Sequence, residues 1–249
     1  MTNRRVVLLG IAALVMALGA APALAQIPDK FTNLKVLPKD IDKRQMVDIM
    51  RDFTGALGVR CNFCHVGEST TSLEGYDFAS DEKQHKKTAR AMMQMAGEIN
   101  DRLLPAAGLK SPMRVRCITC HRGVTEPETL DDLLVEEAGK GGASAAESRY
   151  RELRKDYYGS GSYDFSPHTL NEVAETLASE KKDVDGAIAV MKLNLEFNPD
   201  SAQSHLMLAQ LYSTKGDQAA AVAAAEKALA LEPENHRAKQ MLERLRSGK

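Results

Sequence analysis

The 249-residue chain has no tryptophan, and aromatic residues make up only 5% of it. Its core must therefore come from Leu, Ala, Val and Met, together with any cofactor it carries. Charge of one sign is also lacking, since the formal net charge is −1. There is no basic stripe and no arginine-rich arm, so nothing supports nucleic-acid binding. Cysteine is scarce as well. There are four, and all of them fall within two short phrases.

Those phrases are Cys61-Asn62-Phe63-Cys64-His65 and Cys117-Ile118-Thr119-Cys120-His121. The C-x-x-C-H spacing has a chemical reason. Two thiols separated by two residues can each add to one vinyl group of a single haem, and the following histidine is held under the iron as its proximal ligand. Two copies that use every cysteine point to two covalently bound haem c groups. Cys61 and Cys64 would hold one, Cys117 and Cys120 the other, with His65 and His121 on the irons. Three other readings compete. A thioredoxin-like redox motif needs a β-α-β pattern, which neither copy has. A structural zinc site leaves both histidines without a role. Disulfides closed within each C-x-x-C are strained and uncommon.

Residues 1–25 read as a signal peptide. Arg4 and Arg5 form a basic n-region, Val6 to Leu18 an apolar h-region, and Ala23-Leu24-Ala25 an A-x-A cleavage site. The expected location is periplasmic, outside the cytoplasm, where covalent haem attachment to thiols normally takes place. No cysteine follows the cleavage site, so this is not a lipoprotein signal. The alternative is a retained N-terminal anchor, because Val6 to Leu24 is just long enough to span a bilayer. Pro22 and the small-residue site favour cleavage. Loss of Arg4 and Arg5 would take the net charge to about −3, still weak and mixed.

Beyond the signal, residues 26–39 read as an extended lead-in closed by Pro38. A helix follows, with Asp40 or Asp42 as N-cap, Met46, Ile49, Met50, Phe53 and Leu57 at helical spacing, and Gly58 as a stop. Residues 66–79 read as a polar loop. The longest helical pattern runs from Asp81 to Leu104, ended by Pro105, with Ala89, Met92, Met93, Ala96, Ile99, Asn100 and Leu103 on its inner side. Helix, turn and C-x-x-C-H thus occur twice in succession, as in a duplicated unit. The first domain is expected over residues 26–126.

Residues 127–165 hold a short amphipathic piece, Leu130 to Ala138, then a glycine-rich phrase, a charged run and Gly159-Ser-Gly-Ser162. This is linker composition. Over residues 166–249 a second repeat appears. Pro199 and Pro233 stand 34 residues apart, the tetratricopeptide period. In that register Ala187 pairs with Ala221, Ala178 with Tyr212, and Leu195 with Leu229, and His236 to Leu245 forms a capping helix. A generic alanine-rich helical tail would not explain the matched period. Two repeats are fewer than a free-standing array usually needs, so they are expected to pack against the haem domain or another subunit.

A haem with only a proximal histidine can bind oxygen or act as a peroxidase, whereas a second strong ligand favours electron transfer. Methionines are concentrated on the two helices that precede the motifs. Although a methionine stripe is usually plain core, each of these lies on the helix that must pack over its own haem. Met46 and Met50 are the candidates for the first haem, and Met92 and Met95 for the second, with Met93 turned away. Met113 is too near Cys117 to reach the opposite side of the ring. His85 would give bis-histidine ligation but lies near a helix start. His168, His205 and His236 fall in the repeats, as surface residues.

Residues Phe31 to Val124 resemble the cytochrome c subunit of bacterial photosynthetic reaction centres. The likeness rests on the helix-turn-C-x-x-C-H order, on the helix end from Met50 to Gly58 leading into Cys61, and on Met95-Ala-Gly-Glu-Ile99-Asn100, similar to that family's M-x-x-x-I-N stretch. It implies methionine sixth ligands, here Met50 and Met95, and one-electron carriage toward an oxidised photopigment. Two departures stand out: that subunit carries four haems and has no tetratricopeptide tail. The photosynthetic role therefore transfers less well than the fold.

The expectation is an all-α protein: a di-haem c-type cytochrome domain followed by a short tetratricopeptide domain. It would carry electrons between redox protein partners, which could include a reaction centre or another membrane-bound complex, and dock a protein through its repeats. No small-molecule substrate is expected. Two other classes compete. One is a di-haem peroxidase, which needs one iron without methionine and a distal acid/base residue. The other is a scaffold or assembly protein whose repeats are the main function.

Overall fold

The computed structural model describes residues 27–108 and 113–247; the segment read as a signal peptide lies outside them. Among the described residues the fold is all α, and the one β feature is an isolated bridge between Val66 and Asp77. No described helix is long and apolar enough to cross a membrane. Internal contacts divide the chain into two units between Cys120 and His121.

In the first unit, helix α1 (Lys43–Leu57) starts at Asp42, the second of the two caps the sequence offered. The Asp42 carboxylate accepts from the Gln45 amide at 2.9 Å, and the Gln45 side chain accepts from the Asp42 amide at 3.4 Å. This reciprocal pair satisfies two helix-end donors at once. Gly58, in the left-handed region at φ 67°, ends the helix. The chain then enters α2 (Cys61–Cys64), a single turn holding both thiols of the first motif.

Helix α3 (Gln84–Glu98) begins three residues later than Asp81, the start expected from sequence. The Asp81 carboxylate cannot cap it because it is already engaged. It accepts from Lys35 Nζ at 2.5 Å, Asn33 Nδ2 at 2.9 Å and Arg90 Nη1 at 2.7 Å. Nor does Pro105 end the helix. A π turn (Ile99–Leu103) intervenes, with the Leu104 amide donating to the Ile99 carbonyl, and α4 (Leu104–Ala106) continues through the proline. A proline ring crowds the carbonyl four residues back, and the wider π spacing relieves that conflict.

This first unit has little core of its own. Among its described residues only Met46 and Ala56 are buried hydrophobics. Helix α3 is fifteen residues long and buries none of them. An amphipathic helix gains its stability from packing its apolar face, so these helices need a further apolar body to cover.

The second unit is built the other way round, on a continuous side-chain core. Helix α5 (Cys117–His121), which carries the second motif, falls on the boundary between the units; within the second unit α6 (Leu130–Tyr157) lies where a linker was expected. That expectation is corrected here. Helix α6 breaks at Gly141 and Gly142, and its two halves bury Leu130, Leu134 and Ala138, then Ala146, Tyr150 and Leu153. Each trio falls at i, i+4 and i+7 or i+8, the spacing of a core-facing stripe. In the second half, charges on the other faces hid it: Arg151 pairs with Glu147 one turn away and with Glu196, forty-five residues along the chain.

The repeats follow as two antiparallel pairs and a cap: α7 (Pro167–Ser179) with α8 (Val184–Phe197), α9 (Ala202–Lys215) with α10 (Gln218–Leu231), then α11 (His236–Ser247). Ala187 and Ala221, matched by the 34-residue register, are both fully buried; their small side chains let the paired helices approach. Asn194 of α8 is also fully buried, and its amide nitrogen lies 2.8 Å from the Pro167 carbonyl, 2.9 Å from Asn171 Oδ1 and 3.2 Å from Ser204 Oγ. A buried polar group must be paired, and this one joins α7, α8 and α9.

Candidate haem-binding sites

The first motif opens onto a cleft of about 600 Å³. Cys61, Cys64 and His65 border it on one side, and α1 contributes Met46, Met50, Phe53 and Leu57. Helix α3 adds Ala89 and Met93. Met46 is buried and Met50 half-buried. Met93, read as turned away from the second motif, thus belongs to the wall of the first. His85 is not part of the lining. It stacks on Phe63 with ring centroids 3.9 Å apart, and its Nδ1 lies 3.2 Å from the Phe63 carbonyl.

The His65 side chain is prepared for a neutral role. Burial, reinforced by the nearby cations Lys86 and Arg90, pushes its pKa down to about 4. At neutral pH the ring is then uncharged, the form that ligates a metal. Its Nδ1 is buried and has no hydrogen-bond partner, and Phe78 meets the ring edge-on at 5.1 Å. A Cβ on Gly67 would lie 2.6 Å from the Tyr76 ring, so only glycine lets Tyr76 lie back as part of the cleft wall. Burial also raises the Cys64 thiol pKa.

Among the cations that border this mainly apolar cleft are Lys86 and Arg90 of α3. Lys86 Nζ donates to the carbonyls of Phe78 at 2.8 Å, Ala79 at 3.1 Å and Ser80 at 2.7 Å. Arg90 pairs with Asp81 and donates to the Asn33 carbonyl at 3.0 Å. A large apolar cavity with thiols, a neutral imidazole, thioethers and cations suits a haem, whose flat body is apolar and whose edge carries two carboxylates. Sequence reading missed Lys86, Arg90 and the aromatic pair Tyr76 and Phe78, because nothing local marks a loop aromatic or a helix cation as turned toward a site.

The second motif has a different setting. Cys117 is half-buried, with its thiol pKa raised by burial, and Cys120 is exposed. His121 Nδ1 lies 3.0 Å from the Val124 carbonyl, which orients the ring and leaves Nε2 as the free nitrogen. Met92 and Met95 stand 39% and 48% exposed. Among the described residues six large hydrophobics are exposed, and five of them (Met92, Met95, Leu103, Met113 and Ile118) come from α3, its π turn, the second motif and the loop that leads into it. Exposed apolar side chains concentrated in this way mark a surface that something apolar covers. This donor set also fits a haem.

All four cysteines are unpaired, and among the described residues no group of three or more His, Cys, Asp or Glu side chains is gathered as a metal site. The thiols are thus not clustered as a shared zinc site would require.

Known proteins bear on these sites at family level. No curated protein matches the chain. Residues 202–235, the α9–α10 pair with its closing turn, match the tetratricopeptide repeat family. Residues 16–175 match the photosynthetic reaction centre cytochrome c subunit family, a span that takes in both motifs, all of α6 and most of α7. With more than half of its length matched, the chain belongs to the photosynthetic reaction centre cytochrome c subunit family, which gives it a c-type cytochrome domain with covalently bound haem and an electron-transfer role.

Proposed function

We propose that the protein is an exported di-haem cytochrome that passes single electrons between protein partners. Cys61 and Cys64 hold one haem and Cys117 and Cys120 the other, His65 and His121 are the proximal ligands, and Met50 and Met95 the distal ones. The observation that carries this reading is the cleft that brings Cys61, Cys64 and His65 together with Met50. When bound, the haems supply the iron couple that gains and loses one electron.

The residues explain why the reaction stops there. A thioether and an imidazole on each iron would leave no open position for peroxide or oxygen, and methionine raises the potential relative to bis-histidine. Helix α1 fixes Met50 through its capped start and its place in the cleft wall, so little has to move when charge changes. Met46, one turn earlier, is buried and lines the same cleft. The acceptor is a redox protein, with the family pointing to a photosynthetic or other membrane complex; the repeats dock a protein partner. Export rests on the reading of residues 1–25.

The test is an absorption spectrum of purified protein in both oxidation states, with haem counted per chain. Two haems and the weak red methionine–iron band are expected, with roughly half of that band lost in each of Met50→Leu and Met95→Leu. High-spin spectra that respond to peroxide would instead establish the peroxidase reading.

A further inference from the structure

Asn100 sits in the π turn, five residues beyond Met95. Its side chain pairs with both backbone polar groups of one residue, Val115. Oδ1 accepts from the Val115 amide at 2.7 Å, and Nδ2 donates to the Val115 carbonyl at 2.8 Å. Val115 lies two residues before Cys117. A side-chain amide that pairs with both groups of one residue fixes position and orientation together, as one bond cannot. The grip spans fifteen residues of sequence, from the helix that bears Met95 to the backbone that delivers the thiols.

The π turn is part of the device. It is a departure from regular helix with a local cost, of the kind found at functional sites, and it resets which way residues after Ile99 face. The Arg116 guanidinium also reaches Asp52 at 3.1 Å, but both side chains are exposed and such a pair holds little. Asn100 is half-buried, and it is the stronger fastening of this segment.

We infer that Asn100 is a positioning residue for the second haem: through Val115 it sets the separation between the Met95 thioether and the Cys117 attachment point. This rests on the reading of Met95 as a ligand. A thioether is a weak ligand that binds iron only when the protein holds it in place, so the fastening decides whether the sixth position stays closed. Loss of such supporting bonds typically weakens metal ligation roughly tenfold or more.

The experiment compares full-length holoprotein with Asn100→Ala, Asn100→Asp and Arg116→Ala. Haem per chain, the red band, both reduction potentials and imidazole binding are measured. Asn100→Ala is expected to keep the first haem's properties, lose roughly half of the red band, lower one potential and bind imidazole at one iron at least roughly tenfold more tightly. Asn100→Asp keeps the acceptor but faces the Val115 carbonyl with an oxygen, so it should show the same changes. It also serves if Asn100→Ala fails to accumulate. Arg116→Ala should change none of them. A merely structural role would lower thermal stability and leave band, potentials and imidazole binding intact; that result in both Asn100 variants overturns the inference. Wild-type protein with one haem or no red band would instead overturn the ligand reading on which it rests.

Discussion

The Ser162 hydroxyl donates to the Arg122 carbonyl at 2.6 Å across forty residues of sequence. Arg122 directly follows the second motif's histidine and is held in the left-handed region at φ 48°, and Gly123 follows at φ 93°. This turn carries the chain round so that Val124 can accept from His121. Ser162→Ala should therefore lower stability by about 0.5–1.5 kcal/mol, the worth of one hydrogen bond. Gly123→Ala should cost at least as much, about 1–2 kcal/mol, because a side chain is strained at that φ and its Cβ would crowd Ser162 Oγ. Denaturant melts of both variants measure this, and equal stability to wild type would show that the clasp is idle.

The near absence of buried side chains in the first unit predicts a dependence on haem. A Cys61→Ser, Cys64→Ser double variant should leave α1 and α3 open to hydrogen exchange and protease, while α7 to α11 stay protected by their own core. Retained protection of α1 in that variant would mean that the unit folds on protein contacts alone.

Met46 and Met50 face one cleft with different burial, which separates their roles. Met46→Leu conserves volume in the core and should cost less than about 1.5 kcal/mol with the red band intact. Met50→Leu should remove that site's band and lower its potential. Optical redox titration of the two variants distinguishes them, and the reverse pattern would move the ligand to Met46.

Asp81 predicts an acid response. Hydrogen bonds from Lys35, Asn33 and Arg90, with the Lys35 bond foremost, hold its carboxyl well below the usual carboxylate range. A carboxyl with a depressed folded pKa adds stability above its unfolded value near 3.8 and loses it as pH falls through the folded value. The anchoring of Asn33, Lys35 and Arg90 should therefore survive at pH 4 and fail only in stronger acid. Asp81→Asn should abolish that pH dependence and loosen the lead-in at every pH, as followed by proteolysis within residues 27–37.

Asn194 provides a test in the repeats. Asn194→Ala would strand the Pro167 carbonyl and leave Asn171 and Ser204 with one partner fewer inside the core. The expected loss is about 1–3 kcal/mol. A smaller loss in urea melts would mean that water replaces the amide.

Local chemistry made much of this protein legible before its structure. The helical spacing that ends at Gly58 and the 34-residue register of the repeats are short-range patterns, and the observed α1 and α7 to α11 follow them. The limits of sequence reading fall where one residue's environment is set by another far along the chain. Asp81 looked like the start of a helix, yet Lys35 and Asn33 claim its carboxylate and the helix begins at Gln84. Residues 127–165 looked like a linker because glycines and charges outnumber the few side chains that matter, yet Tyr150 is fully buried. Asn100 looked like one more inner-face residue until the tertiary fold brought Val115 to it. Periodicity and motif spacing are written into neighbouring residues, whereas a hydrogen bond across fifteen, forty or forty-six residues exists only once the chain has packed.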